Sequence, residues 1–285
     1  MTVCIFDKKN KRCMNSAIIQ AIAKSEKLNS NDDNLYEQLN EKLQCNNSEL
    51  CILKNSNLST TEKMKYELSS FKPYTQSLSF KHWLNNLECD QICYQMQLLF
   101  KGYYFTSIHM IDMVMIVSEI YKIIPVKLHS IKDMDLSEEL INPKLYTYNG
   151  PLKSFSIIFN TDPSSKSGQH WFVIFINMDP DNGPMGIELF NSSGNNIHNN
   201  KFNEYWQELA LKISYKLKIK FEYKKITSIV HQDNVESGSC GVYSLFYIYS
   251  RLMKIPSSAF NNKEKKFNDI DMTKFRKALF RDALM

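Results

Sequence analysis

Four residues in the C-terminal half of the chain have the types and the order that nucleophilic catalysis requires: His170, Asn191, Gln232 and Cys240. Cys240 stands in SGSCGVYSLFYIY, where a glycine-containing turn meets an apolar stretch, so the sequence predicts a helix that begins at this cysteine. Unpaired N–H groups at the start of a helix stabilise a thiolate and lower the pKa of the thiol. Cys240 is therefore a candidate nucleophile, although on position alone a small buried side chain is the commoner case.

His170 is the candidate general base. It precedes the apolar run WFVIFI and directly follows the loop TDPSSKSGQ, which places it at the mouth of a predicted strand. There an imidazole can face solvent and substrate while the sheet holds it in place. Of the other histidines, only His231, on the strand predicted before the cysteine turn, is a rival.

Asn191 and Gln232 would complete the site. Asn191 ends the run IELF, and the turn signal PDNGP predicts that this run pairs with the strand that follows His170. An Asn191 carbonyl that accepts from the imidazole would fix its tautomer. The Gln232 amide and the backbone N–H of Cys240 could both donate to an oxyanion. Taken singly, Asn191 is a turn residue and Gln232 a solvated one.

The elements that must position these residues follow from periodicity and turn residues. Helical spacing predicts helices near residues 15–25, 34–43, 83–101, 108–123, 200–217 and 240–253. Short apolar runs bounded by Gly, Pro, Asn or Asp predict strands at SFSIIF, QHWFVIFI and MGIELF, and a further strand is predicted near 218–231. These strands should lie side by side in a largely buried sheet.

The chain is expected to form two domains. Its first 80 or so residues are polar, rich in Asn, Ser and Lys, and mainly helical in pattern, and SSFKPYTQSLS resembles a boundary segment. We place an N-terminal arm domain at 1–83 and a larger core domain at 84–285.

Composition limits the classes of function. The net charge is only +5, from 35 Lys plus Arg against 30 Asp plus Glu, and it is not gathered in a basic block, so nucleic-acid binding is not favoured. No apolar run is long enough to span a membrane, and the N-terminus is unlike a signal peptide, so we expect a soluble, cytosolic protein.

The seven cysteines are expected to be free thiols, since the chain is long and lacks CxxC pairs. Cys45 and Cys51 have no neighbouring histidines or further cysteines, so two buried thiols are expected there and no metal site. We expect no metal and no organic cofactor.

The order His170, Trp171, Asn191, Gln232 and then Ser-Cys-Gly at the start of a helix resembles the adenain and SUMO-protease type of cysteine peptidase. Within that type, NTDPSSKSGQHW, IELFNSSGN, CGVYSLFYIYSRL and KFRKALFR are similar to segments of the polyprotein-processing proteases of African swine fever virus and related large DNA viruses. The resemblance is strong from about residue 160 and fainter before it, where LQCNNSELC is similar to part of the N-terminal arm in that family.

The resemblance implies an α+β fold, in which helices flank a central mixed sheet and a smaller, mainly helical arm is attached. It implies Cys240 as nucleophile, His170 as base, Asn191 as the orienting residue, and Gln232 with Cys240 N–H as the oxyanion hole. It also implies substrate binding at two further positions, Trp171 and Asn160. One departure is that Gln232 precedes Cys240 by eight residues, a little more than is usual.

The same resemblance implies an endopeptidase that cuts protein substrates after Gly-Gly in a viral polyprotein or structural proteins. Such a protein would act in the host cytoplasm and in the virion. Three alternatives stay open: a peptidase that removes ubiquitin or SUMO-like modifiers, an acyltransferase with the same thioester, and a non-catalytic binding scaffold. A papain-like order with Cys89 or Cys93 as nucleophile is a further alternative, but ECDQICYQM has no glycine turn before either thiol.

Overall fold

The computed structural model describes residues 12–30, 34–75, 77–79, 81–111, 146–147, 150–163, 165–194, 200–232 and 238–282. The chain forms two compact units, one comprising Met1–Gln76 with Lys277–Met285 and the other comprising Ser77–Arg276. The domain boundary near residue 83 stays a prediction. Lys277–Met285 belong to the same unit as the N-terminal residues, and the composition of the sequence did not indicate this assignment.

The N-terminal unit is mainly helical, as predicted. Its described elements are α1 (Ser16–Ser25), α2 (Leu35–Lys42), α3 (Glu49–Asn55), α4 (Thr60–Ser70) and β1 (Tyr74–Thr75), and β1 pairs in parallel with β9 (Arg281–Asp282). Polar side chains cap three of the helices: Asn15 accepts from Ile18 N–H, Ser48 from Cys51 N–H, and Ser59 forms a capping box with Glu62. Ile22, Leu39, Ile52 and Leu53 are fully buried in its core.

The expectation of free thiols is wrong for this unit. Cys45 and Cys51 form a disulfide, and Cys13 is also disulfide-bonded. Between helices α2 and α3 the backbone takes positive φ at Gln44, Asn46 and Asn47, and this tight course brings the Cα atoms of Cys45 and Cys51 to 5.5 Å. Sequence spacing alone does not reveal that approach.

The second unit contains a five-stranded mixed sheet, which confirms the predicted fold class. Its strands are β2 (Tyr103–Met110), β5 (Ser154–Asn160), β6 (Trp171–Asn177), β7 (Gly186–Phe190) and β8 (Glu222–Ile226), in the order β2-β5-β6-β7-β8. The two outer pairs are parallel and the two inner pairs antiparallel. A small hairpin, β3 (Tyr146–Thr147) and β4 (Gly150–Pro151), lies outside this sheet.

Helices cover both faces of the sheet. The α-helices among the described residues of this unit are α5 (Asn86–Leu99), α6 (Asn200–Leu217), α7 (Cys240–Leu252) and α8 (Asp269–Leu279). On one face, Trp206 and Ile213 of α6 pack in a cluster with Ile174 of β6. On the other face, Tyr247 of α7 stacks on Phe190 with ring centroids 4.4 Å apart. Because both faces are covered, every residue of β5, β6 and β7 is buried, which explains their unbroken apolar runs.

Two elements differ from the prediction. The prediction of a helix at 108–123 is wrong for its first residues, because the residues up to Met110 belong to β2. Positions 112–123 lie outside the described residues. The segment YYFTSIHM is rich in aromatic and β-branched residues, and its pairing with β5 decides its conformation.

The strand expected at 218–231 is confirmed only at Glu222–Ile226. It begins late because Lys218 has a positive φ and Ile219 N–H bonds Ser214 O, which closes the end of α6. It ends early because the N–H groups of His231 and Gln232 bond Ser192 O, outside the strand ladder.

Candidate active site

Cys240 is the first residue of α7 and lies where β6 begins. Its Sγ accepts hydrogen bonds from the backbone N–H groups of Trp171 and Gly241. A Cβ added at Gly241 would stand 3.3 Å from Leu84 Cβ and 3.4 Å from Trp171 Cδ1, so the start of the helix is in close contact with both side chains. The thiol is thus held next to the residue that follows His170.

A buried polar network anchors α7 to the sheet. Glu188 of β7 accepts from Tyr247 Oη and Arg251 Nε, each at 2.8 Å, and Arg251 Nη1 donates to Asn182 Oδ1 at 3.2 Å. Glu188 and Arg251 are 4% and 1% exposed, so each would be an uncompensated buried charge without the other. This pairing holds the C-terminal end of α7 against the sheet.

His170 and Asn191 form the contact predicted from the order of the strands. His170 Nε2 lies 2.6 Å from Asn191 Oδ1. The two residues meet because β6 and β7 are antiparallel, with Val173 opposite Phe190, so the start of one strand and the end of the other share an edge. A side-chain carbonyl only accepts, so this bond requires the proton on Nε2 and leaves Nδ1 as the basic nitrogen.

The serines that follow Asn191 hold the turn in place. Ser193 donates to Asn191 Oδ1 from its backbone N–H at 3.2 Å and from its hydroxyl at 3.0 Å. The Asn191 carbonyl is therefore oriented before it meets the imidazole. All three residues of the NSS turn are buried.

Gln232 lies beside this turn and is 2% exposed. Its Oε1 accepts from Ser192 Oγ at 3.2 Å, and its backbone N–H donates to Ser192 O at 3.1 Å. The amide is thus oriented by its carbonyl end, so the NH2 group is directed away from Ser192. Gln232 as an oxyanion donor stays a prediction, since residues 233–237 lie outside the described residues.

The pKa values of the two central groups differ from the simplest expectation. Burial raises the pKa of Cys240 to about 11, although the N–H groups of Trp171, Gly241 and Cys240 and the charge of Arg276 lower it. Burial also lowers the pKa of His170 below its ordinary value, and the bond to Asn191 opposes that change. The helix-end effect predicted for Cys240 is present, but desolvation is larger, so burial favours the neutral thiol and the neutral imidazole.

The two predicted substrate-binding residues have different surroundings. Trp171 is 8% exposed and contacts the start of α7 through its indole. Asn160 ends β5 opposite Trp171, and its Oδ1 accepts from the N–H groups of Asp162 and Gln169 at 3.0 and 3.1 Å. Asn160 thus closes the loop that leads to His170. A substrate contact by either residue stays a prediction.

The rival residues occupy structural positions. His231 is 1% exposed and lies among Phe190, Tyr243 and Phe260, and its Nε2 bonds Phe260 O at 2.8 Å. Cys89 and Cys93 lie within α5 and are fully buried. Burial raises the pKa of each thiol well above the ordinary value. The papain-like order therefore loses its support.

Sequence reasoning missed several residues of this site: Leu84, Ser192, Ser193 and Arg276. Ser192 and Ser193 adjoin Asn191, so the NSSG turn was the available signal. Leu84 and Arg276 gave no such sequence signal, because they lie far from Cys240 along the chain. Within the described ranges, no group of three or more His, Cys, Asp or Glu residues is arranged to hold a metal ion, and no described helix is long and apolar enough to cross a membrane.

Comparison with known proteins agrees with this geometry. Residues 152–284 match the Ulp1 protease family, C-terminal catalytic domain. Over 135 residues the chain is 37% identical to the "SUMO-1 cysteine protease" of one African swine fever virus isolate and equally to the "Cysteine protease" of another strain. Each match covers 47% of this chain and 46% of the viral protein, so the matched segment spans about half the length of these relatives.

A solved structure has the same fold over nearly the whole chain. The crystal structure of an African swine fever virus protease superimposes with a TM-score of 0.64 at 23% sequence identity, covering 99% of this chain and 96% of the other. A second crystal structure of that protease, with selenomethionine, gives 0.63 at 22% identity. The resemblance stated from the sequence is confirmed to this extent: residues 152–284 match the model of the Ulp1-type catalytic domain, and the chain has the fold of the African swine fever virus protease.

Proposed function

We propose that this protein is a cysteine endopeptidase with Cys240 as nucleophile, His170 as general base and Asn191 as the orienting residue. The observation that carries the proposal is the pair of contacts on consecutive residues: Asn191 bonds the His170 imidazole, and Trp171 N–H bonds the Cys240 thiol. Both contacts lie where β6 begins, at one edge of the sheet, which supports His170 and Cys240 as partners in the reaction. The Ulp1-type domain supports the reaction class.

The reaction follows from these positions. His170 Nδ1 takes the thiol proton as Cys240 Sγ attacks the substrate carbonyl, and the tetrahedral oxyanion accepts from Cys240 N–H and the Gln232 amide. The imidazolium then protonates the leaving amine, which departs and leaves a thioester on Cys240. Water, deprotonated by His170, adds to the thioester and releases the carboxylic acid product. Because thiol and imidazole are both neutral at rest, proton transfer accompanies the attack.

We also propose cleavage after Gly-Gly. Cys240 is 1% exposed, Trp171 8% and Leu84 2%, so little room exists for substrate side chains beside the nucleophile. A backbone without side chains is what such a narrow approach admits. Following the resemblance stated from the sequence, the substrates would be a viral polyprotein or structural proteins, processed in the host cytoplasm and the virion.

A modifier-removing isopeptidase is the second candidate, because the matched family is of Ulp1 type and one relative bears the name SUMO-1 cysteine protease. Both candidates would cut after Gly-Gly, and they differ in what surrounds that pair. An internal Gly-Gly in an extended peptide suits an endopeptidase, whereas a folded modifier with a C-terminal Gly-Gly suits an isopeptidase.

The test is a cleavage assay with three substrates: a peptide with an internal Gly-Gly, the same peptide with Gly-Val, and a SUMO fusion. Wild type, Cys240→Ala and Cys93→Ala are compared, the last as a matched change of a buried thiol. We expect cleavage of the Gly-Gly peptide by wild type and by Cys93→Ala only. Preferential cleavage of the fusion would favour the isopeptidase, and no cleavage of any substrate would favour a non-catalytic scaffold.

A further inference from the structure

Arg276 of α8 is buried beside the turn that carries Cys240, although it lies 36 positions further along the chain. It is 1% exposed. Its Nη2 donates to Gly238 O at 3.0 Å and to His82 O at 2.7 Å. One guanidinium nitrogen thus joins the turn before the nucleophile to the segment that enters α5.

The joined segments lie in direct backbone contact. A Cβ added at Gly238 would stand 2.4 Å from His82 O and 2.7 Å from Trp83 N. Only glycine permits this approach. The Gly238 and His82 carbonyls point to the same guanidinium, and two carbonyl dipoles directed at one place repel unless a donor lies between them. Arg276 supplies that donor.

The charge of Arg276 is also placed to act on the thiol. The groups that face it are Glu88 and Cys89 of α5 and Cys240 of α7. Glu88 accepts from Asn85 N–H at 2.8 Å, and its other oxygen lies 3.4 Å from His82 Nε2. His170 directly precedes Trp171, whose backbone N–H donates to the thiol.

A second observation favours a role beyond stability. Arg276 Nη1 is buried and has no hydrogen-bond partner among the described residues. Burying an unsatisfied donor on a charged group costs free energy. A neutral residue that only held the backbone in place would avoid this desolvation cost. The positive charge of Arg276 lowers the pKa of Cys240, which is the direction that thiolate chemistry needs.

We propose that Arg276 is a positioning residue of the nucleophile: it holds the Gly238–Cys240 turn against residues 82–84, and its charge stabilises the thiolate that forms when His170 takes the proton. The inference deepens the proposed peptidase function and rests on it. It assigns to the KFRKALFR segment a part in the reaction.

The test measures alkylation of Cys240 by iodoacetamide, resolved by mass spectrometry, over the pH range in which the protein stays folded. Arg276→Gln removes the charge, and Arg276→Lys keeps it. Because Arg276 Nη2 alone donates to both His82 O and Gly238 O, a lysine ammonium can form the same two hydrogen bonds. The matched control is Arg251→Gln, which removes another fully buried guanidinium far along α7 from Cys240.

We expect Arg276→Gln to slow alkylation roughly three- to tenfold at a given pH, because loss of the charge raises the thiol pKa and lowers the thiolate fraction, and to lower kcat more than it raises KM. Arg276→Lys should recover most of the rate. Arg251→Gln should lower Tm without changing the alkylation rate. Equal alkylation of wild type and Arg276→Gln would overturn the proposal, whatever the change in Tm.

If Arg276→Gln does not fold, the lysine variant decides. A folded Arg276→Lys whose Cys240 is as unreactive as a buried structural thiol contradicts the proposal, and near-normal alkylation supports it. The readout does not depend on turnover. A charge-dependent alkylation rate without cleavage of any substrate would therefore refute the proposed function and leave the role of Arg276 in place.

Discussion

The backbone N–H of Trp171 donates to Cys240 Sγ, and Trp171 is the residue directly after His170. The strand that begins at Trp171 therefore positions both the proposed base, His170, and the proposed nucleophile, Cys240. A shift of β6 along its neighbours would move the imidazole and the thiol's hydrogen-bond donor together. The relative position of the two groups is thus set by the buried sheet.

The orienting bond between Asn191 and His170 should control the acid limb of the pH profile. Asn191→Asp keeps an acceptor for Nε2–H but adds a negative charge, which stabilises the imidazolium and raises the His170 pKa. We expect the acid limb of kcat/KM to move to higher pH in this variant. In Asn191→Ala, kcat/KM should fall roughly 100-fold. An unchanged acid limb in Asn191→Asp would show that Asn191 does not contact the base during turnover.

His170 should also affect stability at low pH. Its folded-state pKa is lowered from 6.5, so the unfolded chain binds its proton more readily than the folded chain does. The folded state therefore loses stability as the pH falls through 6.5 towards the lower folded pKa. Replacement by a neutral isostere, His170→Gln, should remove this part of the acid dependence. Urea unfolding at several pH values, compared with wild type, measures it.

Gln232 should act on the transition state alone. Gln232→Ala removes the amide that Ser192 orients, and we expect kcat to fall roughly 100-fold with little change in KM. Ser192→Ala, which removes only the orienting hydroxyl, should cause a smaller loss in the same direction. Alkylation of Cys240 needs no oxyanion hole, so it serves as the control. Similar losses in alkylation and turnover would instead indicate a collapsed site.

The buried pair Glu188–Arg251 should be a large contribution to the stability of α7. Arg251→Met leaves Glu188 buried and uncompensated, at a cost of about 3–5 kcal/mol in the free energy of unfolding. The control is Lys153→Met, which breaks the half-exposed pair with Asp179 and should cost less than about 1 kcal/mol. Equal effects in urea unfolding would contradict the importance given to burial.

The disulfide of the N-terminal unit should stabilise that unit. Cys45 and Cys51 are separated by six positions, and closing so short a loop is worth about 2 kcal/mol in the chain-entropy account. Cys45→Ser with Cys51→Ser should therefore speed amide exchange in α2 and α3. Reduction of wild type should have the same effect on these helices. No change in exchange would mean that the bond is absent in solution.

The parts of the molecule that sequence predicted well are those governed by local patterns. Helix α6 has its predicted bounds, and α7 begins at Cys240, because periodicity and the glycine turn act over a few residues. The His170–Asn191 contact was predictable because one turn signal joined two buried strands. Arg276, Leu84 and the Cys45–Cys51 bond were not, since they depend on long-range or loop geometry. The residues up to Met110 formed a strand rather than a helix because pairing with β5 prevailed over the pattern.

The most direct test of the account is labelling by a Gly-Gly peptide with a C-terminal electrophile, followed by mass spectrometry of wild type, Cys240→Ala, Cys93→Ala and His170→Ala. The account predicts a single adduct on Cys240 in wild type and Cys93→Ala, strongly slowed in His170→Ala and absent in Cys240→Ala. An adduct that persists in Cys240→Ala, or labelling of Cys240 at the same rate without His170, would contradict it.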